Sequence, residues 1–576
     1  MEMKTFLELK KNLKKDFSHL QAKKIALLGD SATQFLFQTL KAAGYEREYN
    51  LDIFEADFNQ VERQIFDTSS ELYEFKPEIV VIFQSTHKLL SKYNKQNLNE
   101  AQHLADERLD LVSKFIEVIQ SNLGAKIIYY NYPEINDSVF GNYSNKLPFS
   151  FLYQLRKLNY ELMNLSIQHF NFFICDMSGI QNQLGKATMF DTSVYINTEM
   201  ILSLDALPHI AYNTIDIIAA LYGKFKKCLI LDLDNTTWGG IIGDDGLENI
   251  QIGTLGIGKA FTELQLWAKK LKERGVILAI CSKNTESVAK EPFEKHPDMV
   301  LRLDDIAVFV ANWENKADNI RHIQNVLNIG FDSMVFLDDN PFERNLVREN
   351  IKDITVPELP EDPADYLEYL YTLNLFETVS FSALDTERTK QYQVESQRME
   401  LQKKFTNEED YLKTLNMTSL IEPFNKFNMP RVAQLSQRSN QFNLRTVRYT
   451  EADIQLLAES GKNFTFAFTL DDKFGENGLI CVVILEKLNE QDLFIDTWFM
   501  SCRVLKRGME DFVLNTLINF AQENGFENII GEYLPTQKNE MVKNHYHNLG
   551  FISVEDKWQI NVRDYQFKNV HITKKI

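Results

Sequence analysis

The stretch Leu229–Gly240, LILDLDNTTWGG, runs from an apolar segment into two aspartates one residue apart, then into a Trp-Gly-Gly turn. The apolar segment reads as a buried β-strand. Residues i and i+2 of a strand point the same way, so Asp232 and Asp234 set two like charges side by side unless a cation sits between them. Open parallel sheets hold their ligands at such strand ends. The stretch predicts an α/β fold with a cation-requiring site at the C-terminal ends of its strands.

Working outward, VILAICS (276–282), AVFVANW (307–313) and SMVFLDD (333–339) repeat the strand pattern. Helical periodicity lies between them, in AFTELQLWAKKLKERG and NKADNIRHIQNVLNI. Three more polar groups fall at strand ends: Ser282 followed by Lys283 and Asn284, Lys316 opening a helix, and Asp338-Asp339. Together they suit phosphoryl transfer to a carboxylate. One aspartate attacks phosphorus and a second protonates the leaving oxygen. Mg²⁺, a hard ion, offsets the carboxylates, while a hydroxyl and an ammonium hold the transferred oxygens. Each group alone reads as an ordinary turn; four in order at strand ends do not. Gly239 and Gly240 permit a tight turn, and Trp238 is placed to shield the site from water. One helix separates this turn from Ser282, so no large cap is expected and neighbouring domains are expected to close the site.

The whole chain, 576 residues with 44% hydrophobic and 25% charged side chains, is too long for one core. KIALLGD, IVVIFQS, AKIIYYN and NFFICDM predict a doubly wound parallel sheet over residues 1–223. The phosphotransfer unit spans 224–360, ended by the prolines of ITVPELPEDP. A charged helical connector covers 361–414 and is read as a solvated packing helix, with a coiled linker or a docking arm as the alternatives; an α+β portion with paired strands fills 415–576. The net charge of −19 argues against nucleic acid as a partner. No apolar run reaches a membrane span and MEMKTFLELKKNLKKDF lacks a signal-peptide pattern. Five scattered cysteines without CxxC spacing suggest a reducing compartment. The expected location is cytoplasmic.

The four motifs resemble those of the haloacid dehalogenase superfamily. That resemblance implies Asp232 as nucleophile and Asp234 as acid/base. Magnesium would be held by Asp232, the Asp234 carbonyl and Asp338, with Asp339 close by, and phosphate by Thr236, Ser282, Lys283, Asn284 and Lys316. More narrowly, DLDNTTWGGIIGDDG, LAICSKN, NWENKADNI and FLDDNPFERNLVREN resemble the FkbH-like branch. Its members are implied to take a phosphorylated three-carbon acid, 1,3-bisphosphoglycerate, remove phosphate and load the glyceryl group as a thioester onto an acyl carrier protein. Polyketide or surface-polysaccharide pathways use such proteins. A stand-alone small-metabolite phosphatase and a carrier-docking scaffold are the competing readings.

A thioester relay needs a reactive thiol. Cys281 adjoins Ser282 and Lys283, whose charge would favour a thiolate; alternation along the strand instead turns it into the core. Cys502 is the second candidate. In the flanks, ALLGDSATQ resembles the start of an SGNH hydrolase, with Ser31 as nucleophile and His209, four residues after Asp205, as base. The DxxxH spacing departs from that family's DxxH, and a serine at a helix start also reads as a cap. CRVLKRGMEDFVL and NHYHNLGF resemble the GNAT acyltransferase fold, with Arg503, Lys506 and Arg507 suited to a pantetheine phosphate and Tyr546 to proton donation. Lys506 stands where that family's loop has a glycine.

Overall fold

The computed structural model describes residues 3–20, 22–402, 404–536 and 538–575. The chain divides into two compact units, Glu2–Ala219 and Ala220–Ile576.

In the first unit five parallel strands, β1 (Ala22–Gly29), β2 (Asn50–Glu55), β3 (Ile79–Phe83), β4 (Lys126–Tyr130) and β5 (Phe172–Cys175), lie in the order β2-β1-β3-β4-β5. This is the doubly wound sheet expected, with one strand more than the apolar runs announced. β2 is an edge strand whose NLDIFE sequence buries Leu51 and exposes Asp52, so it never forms a continuous apolar run. The helix Leu104–Leu123 buries Val112, Phe115, Ile116 and Ile119 on one sheet face.

The second unit begins with the sheet the opening stretch predicts. β6 (Cys228–Leu231), β7 (Ile277–Ser282), β8 (Val308–Ala311) and β9 (Met334–Leu337) run parallel in the order β8-β7-β6-β9. Alternation sorts their side chains between two cores. Leu229, Leu231, Leu278 and Ile280 pack under the helix Gly258–Glu273, while Cys228, Ile230, Ala279 and Cys281 pack under the helix Lys316–Leu327.

The connector packs on one face and stays solvated on the other, where Lys390 and Glu387 are exposed. Its helix Arg388–Gln402 sends Tyr392 into the same core as Cys228 and Ile230. Arg398, 2% exposed, pairs with Glu395 and with Asp472 at 2.8 Å each.

Beyond it stand β10 (Met417–Ser419), β11 (Ile421–Glu422), β12 (Asn463–Asp472), β13 (Gly475–Lys487), β14 (Asp492–Met500), β15 (Asn528–Gly531), β16 (Ile552–Val554), β17 (Lys557–Asn561) and β18 (Ile572–Lys574). They form one sheet, β16-β17-β15-β14-β13-β12-β10-β18, with β11 paired to β12. Most pairs are antiparallel; β14 with β15 and β10 with β18 are parallel. This is the α+β arrangement with paired strands that was expected, its helix Met509–Glu523 following the loop 503–508. After Phe494 β14 and β15 diverge, and the chain's own segment 442–445 fills the gap. Met500 N donates to Phe442 O (3.0 Å), Leu444 N to Trp498 O (3.2 Å), and Leu534 N to Leu444 O (2.9 Å). Arg445 then pairs with Asp496 at 2.6 Å on one side and Glu532 at 2.8 Å on the other.

This C-terminal half sits under the β8-β7-β6-β9 sheet, where its strands begin. Lys227, just before β6, donates to Arg438 O (2.7 Å), Asn328 to Cys502 O (2.8 Å), and Gln393 to Ile306 O (2.9 Å). Of the neighbouring domains expected to close the candidate site, the C-terminal half therefore does not: it seals the opposite end. Among the described residues no helix is long and apolar enough to cross a membrane.

Candidate active site

Four strand ends of the central sheet bring the site together. Asp232 follows β6, Ser282 ends β7, Lys316 opens its helix after β8, and Asp338 and Asp339 follow β9. Asp232 is 6% exposed, Asp338 fully buried and Lys316 3% exposed. Lys316 Nζ lies 2.5 Å from Asp338 Oδ2 and 3.0 Å from Asp232 Oδ1. Burial alone would lower the lysine's pKa; the two carboxylates more than reverse that and hold it raised. Burial and then the Asp232 charge raise Asp338, and the same two causes raise Asp339.

One ammonium among three carboxylates leaves the group under-neutralised. Asp232, Asp338 and Asp339 each offer an oxygen within 4.8 Å of the others, and Asp232 Oδ1 accepts no hydrogen bond of good geometry. Three hard oxygen donors close together, carrying more negative charge than one ammonium offsets, fit a magnesium ion. Thr236 braces this set by accepting from Asp339 N at 3.0 Å, and Thr237 donates to Asp232 O at 2.6 Å.

Asp234 points elsewhere than at the carboxylate cluster. Oδ1 accepts from the Trp238 indole N–H and from Ile242 N, both at 3.0 Å, and Oδ2 from Asn284 at 3.1 Å. Burial, the leading cause, raises its pKa, against these hydrogen bonds. Trp238 is wholly buried with its ring edge-on to Phe293, so it orients the second carboxylate and does not screen an opening. Asn284 likewise serves Asp234 here. The turn requires its glycines: Gly240 has φ +89°, and a Cβ on Gly239 would come within 2.7 Å of Phe261.

Lys283 stands at the rim, paired with Glu343 at 2.6 Å. Arg344 escaped the sequence reading although it lies in FLDDNPFERNLV. Its guanidinium donates to Asp338 O (2.8 Å) and Asp339 O (2.7 Å), fixing the loop that carries both carboxylates. A buried arginine one helical turn beyond the aspartates was the available signal.

Neither thiol opens into the site. Cys281 is 0% exposed on the face opposite Ser282, its S–H directed at Lys316 O (3.7 Å), and burial pushes its pKa far up. Cys502 is half-buried with a raised pKa and lies beside Lys227, at the far end of the sheet. The four residues of β6 separate it from Asp232 by about 13 Å of strand. Cys281→Ala is expected to keep phosphate release within about twofold of wild type, as a steady-state phosphate assay would measure.

The flanking candidates fare likewise. Ser31 is 0% exposed and its Oγ has no hydrogen-bond partner, so no histidine activates it; Asp205 is exposed and His209 half-buried. Asp30 instead ties β1 to β3 by accepting from Ser85 N at 2.9 and 3.0 Å. Burial raises its pKa from 3.8 to about 6. The native state thus binds its proton more tightly than the unfolded chain, so stability present below pH 4 is lost as pH rises through 6. Asp30→Asn is expected to flatten this dependence and raise stability at pH 7 by about 2 kcal/mol, read from thermal unfolding at pH 4.5 and 7. Arg503 and Arg507 are not an exposed phosphate cradle. Arg507 is bound by Glu395 (2.5 Å) and Asp472 (3.3 Å), and Arg503 donates to Gln391. Tyr546 is buried against Gly531, its hydroxyl without a partner.

The family model described as "FkbH, N-terminal domain" matches residues 24–219. A crystal structure of the N-terminal part of the protein BF1531 from Bacteroides fragilis, containing a phosphatase domain complexed with Mg, is 64% identical. It covers 66% of this chain and 100% of that one, with a TM-score of 0.64. The ribosomal-protein-S18-alanine N-acetyltransferase of Escherichia coli is 12% identical over 25% of this chain and 94% of its own, with a TM-score of 0.21. Spermidine N-acetyltransferase from Vibrio cholerae, in complex with CoA and spermine, is 11% identical over 26% and 96%, also at 0.21. No curated protein matches the chain.

Proposed function

Since the chain belongs to the FkbH family and its central domain is a haloacid-dehalogenase-type phosphatase, we propose that it dephosphorylates a phosphorylated three-carbon acid, 1,3-bisphosphoglycerate, and passes the glyceryl group to an acyl carrier protein. The observation that carries the reading is the buried group Asp232, Lys316, Asp338 and Asp339, with Asp234 two residues beyond the first. Magnesium is the cofactor, held by Asp232, Asp338 and Asp339, where it supplies positive charge to the transferring phosphoryl group.

Asp232 attacks the phosphorus of the C3 phosphate ester in line and the bond from phosphorus to the C3 oxygen breaks, giving an aspartyl phosphate and leaving the C1 acyl phosphate intact. Asp234 gives the leaving oxygen its proton, then takes one from the water that releases phosphate. Trp238, Ile242 N and Asn284 fix that carboxylate for both tasks. Lys316 and Ser282 hold the transferred oxygens.

The acyl step runs without a thiol of this chain, because Cys281 faces the core and Cys502 lies at the other end of the sheet. The carrier's pantetheine thiolate attacks the acyl phosphate carbonyl directly, forming the thioester and expelling phosphate. The same withdrawal of both cysteines favours the second reading, a small-metabolite phosphatase with no transfer. Intact-mass analysis of a mixture with 1,3-bisphosphoglycerate, Mg²⁺ and a pantetheinylated carrier decides between them. Transfer predicts a glyceryl adduct on the carrier and none on this chain. Phosphate release with an unlabelled carrier reduces the protein to a phosphatase.

A further inference from the structure

The helix Phe151–Gln168, between β4 and β5 of the first unit, is apolar on two opposite faces. Phe151, Leu155, Leu158, Leu162 and Leu165 point inward and are buried in that unit's core. Tyr153, Tyr160, Met163 and Ile167 point outward and, with Phe170 just past the helix end, are 41–76% exposed. They stand at i, i+7, i+10, i+14 and i+17, the spacing of the a and d positions of a coiled-coil seam. A helix on a solvated surface keeps a polar outer face. Here only Arg156 and Asn164 interrupt the outer stripe.

Taking about 200 Å² for a large side chain fully exposed, these five residues leave about 550 Å² open. The loop beside the first half of the helix widens the patch. Glu134 and Asn145 of that loop accept from Arg156 at 2.5 and 2.8 Å, and Val139, Phe140 and Tyr143 between them are 37–68% exposed. With them the patch reaches about 900 Å² on the same scale. That exceeds the roughly 300–600 Å² of the largest patch on a typical monomer, and matches the roughly 800 Å² each partner of a standard interface buries. The charges along the stripe are spent within the chain. Arg156 is held by Glu134, and Lys157 by Asp106 at 2.6 Å. A lipid surface or a strongly charged partner calls for free charges of one sign beside the apolar stripe. A neutral heptad stripe fits another of its own kind, and a two-fold pair needs a patch that is its own complement.

We propose that this face joins two copies of the chain, the helix Phe151–Gln168 packing antiparallel on the same helix of the partner about a two-fold axis near Tyr160 and Met163. Tyr160 of each copy meets Met163 of the other, and Tyr153 meets Phe170. The stem of Arg156 lies along Ile167 of the other copy while its head stays with Glu134. The antiparallel order sets the helix dipoles head to tail. It also lays Val139 and Tyr143 of one copy over the Ile167 end of the other.

Sedimentation equilibrium of the full chain tests the pairing. A dimer is expected at micromolar concentration, with the dissociation constant raised at least a hundredfold in Met163→Glu/Ile167→Glu. Both side chains point outward, so the circular dichroism of that variant should match wild type. Should it misfold, oxidation of Tyr153→Cys/Phe170→Cys with copper phenanthroline decides. Those positions lie about 25 Å apart along one helix, too far to bond to each other, so a disulfide joins only two copies. A covalent dimer that wild type does not form supports the pairing. A dimer unchanged in the folded Met163→Glu/Ile167→Glu protein, or no covalent dimer beyond that of wild type, overturns it. So does a monomer at tens of micromolar, which would leave the stripe to a different partner.

Discussion

Asp232→Asn is expected to cut magnesium-dependent phosphate release by at least about a thousandfold while the protein stays folded. The amide keeps the shape of the side chain but cannot attack phosphorus. It also removes one of three crowded carboxylates that share the single ammonium of Lys316. Like charges held together destabilise the metal-free fold, so the melting temperature in EDTA should match or exceed that of wild type. Magnesium should raise it less than it raises the wild type, since a ligand is lost. Phosphate assays and melts with and without Mg²⁺ read both effects. Turnover near wild type would remove Asp232 from the nucleophile's role.

Lys316→Met should damage both activity and stability. The ammonium lies between Asp232 and Asp338, and deleting it strands two buried carboxylates with no cation. Breaking a buried pair from one side costs about 3 to 5 kcal/mol, so the melting temperature in EDTA should fall by several degrees. Magnesium then carries the neutralisation alone, and the gain in melting temperature on adding it should exceed that of wild type. Phosphate release should remain at least about a hundredfold down even with saturating Mg²⁺, because the ammonium also stabilises the transferred oxygens. A variant as stable as wild type in EDTA would mean that the carboxylates are already neutral there.

The candidate constellation was legible because every member sits within a few residues of an apolar run that announces its strand. Asp232, Ser282, Lys316 and Asp338 needed only a parallel sheet to bring them together. What escaped depends on partners distant in sequence. Arg507 reads as a free basic loop until Glu395, 112 residues away, is seen against it. The side of the central sheet on which the C-terminal half packs is set by Lys227, Asn328 and Gln393, polar side chains with no pattern of their own. Cys281 lay between: period-two alternation holds the answer, but neighbouring charge in the sequence argued the other way. β2 escaped because an edge strand alternates, and the runs that announce buried strands do not.

The pairing of β10 with β18 sets a timetable for synthesis. Met417↔Ile572, Thr418↔Thr573 and Ser419↔Lys574 join the first strand of the C-terminal sheet to residues made last of all its members. The five parallel strands of the first unit are complete once Cys175 has left the ribosome, so that unit is able to fold on the nascent chain. At usual elongation rates the C-terminal sheet follows on the order of tens of seconds later. During that wait β12, β13 and β14 have emerged while β10 lacks its outer neighbour, leaving a strand edge open to other chains. Slow elongation or crowded polysomes would therefore tax the C-terminal half first, and a chaperone that shields strand edges should associate with nascent chains that have passed Met500 but not yet reached Lys574.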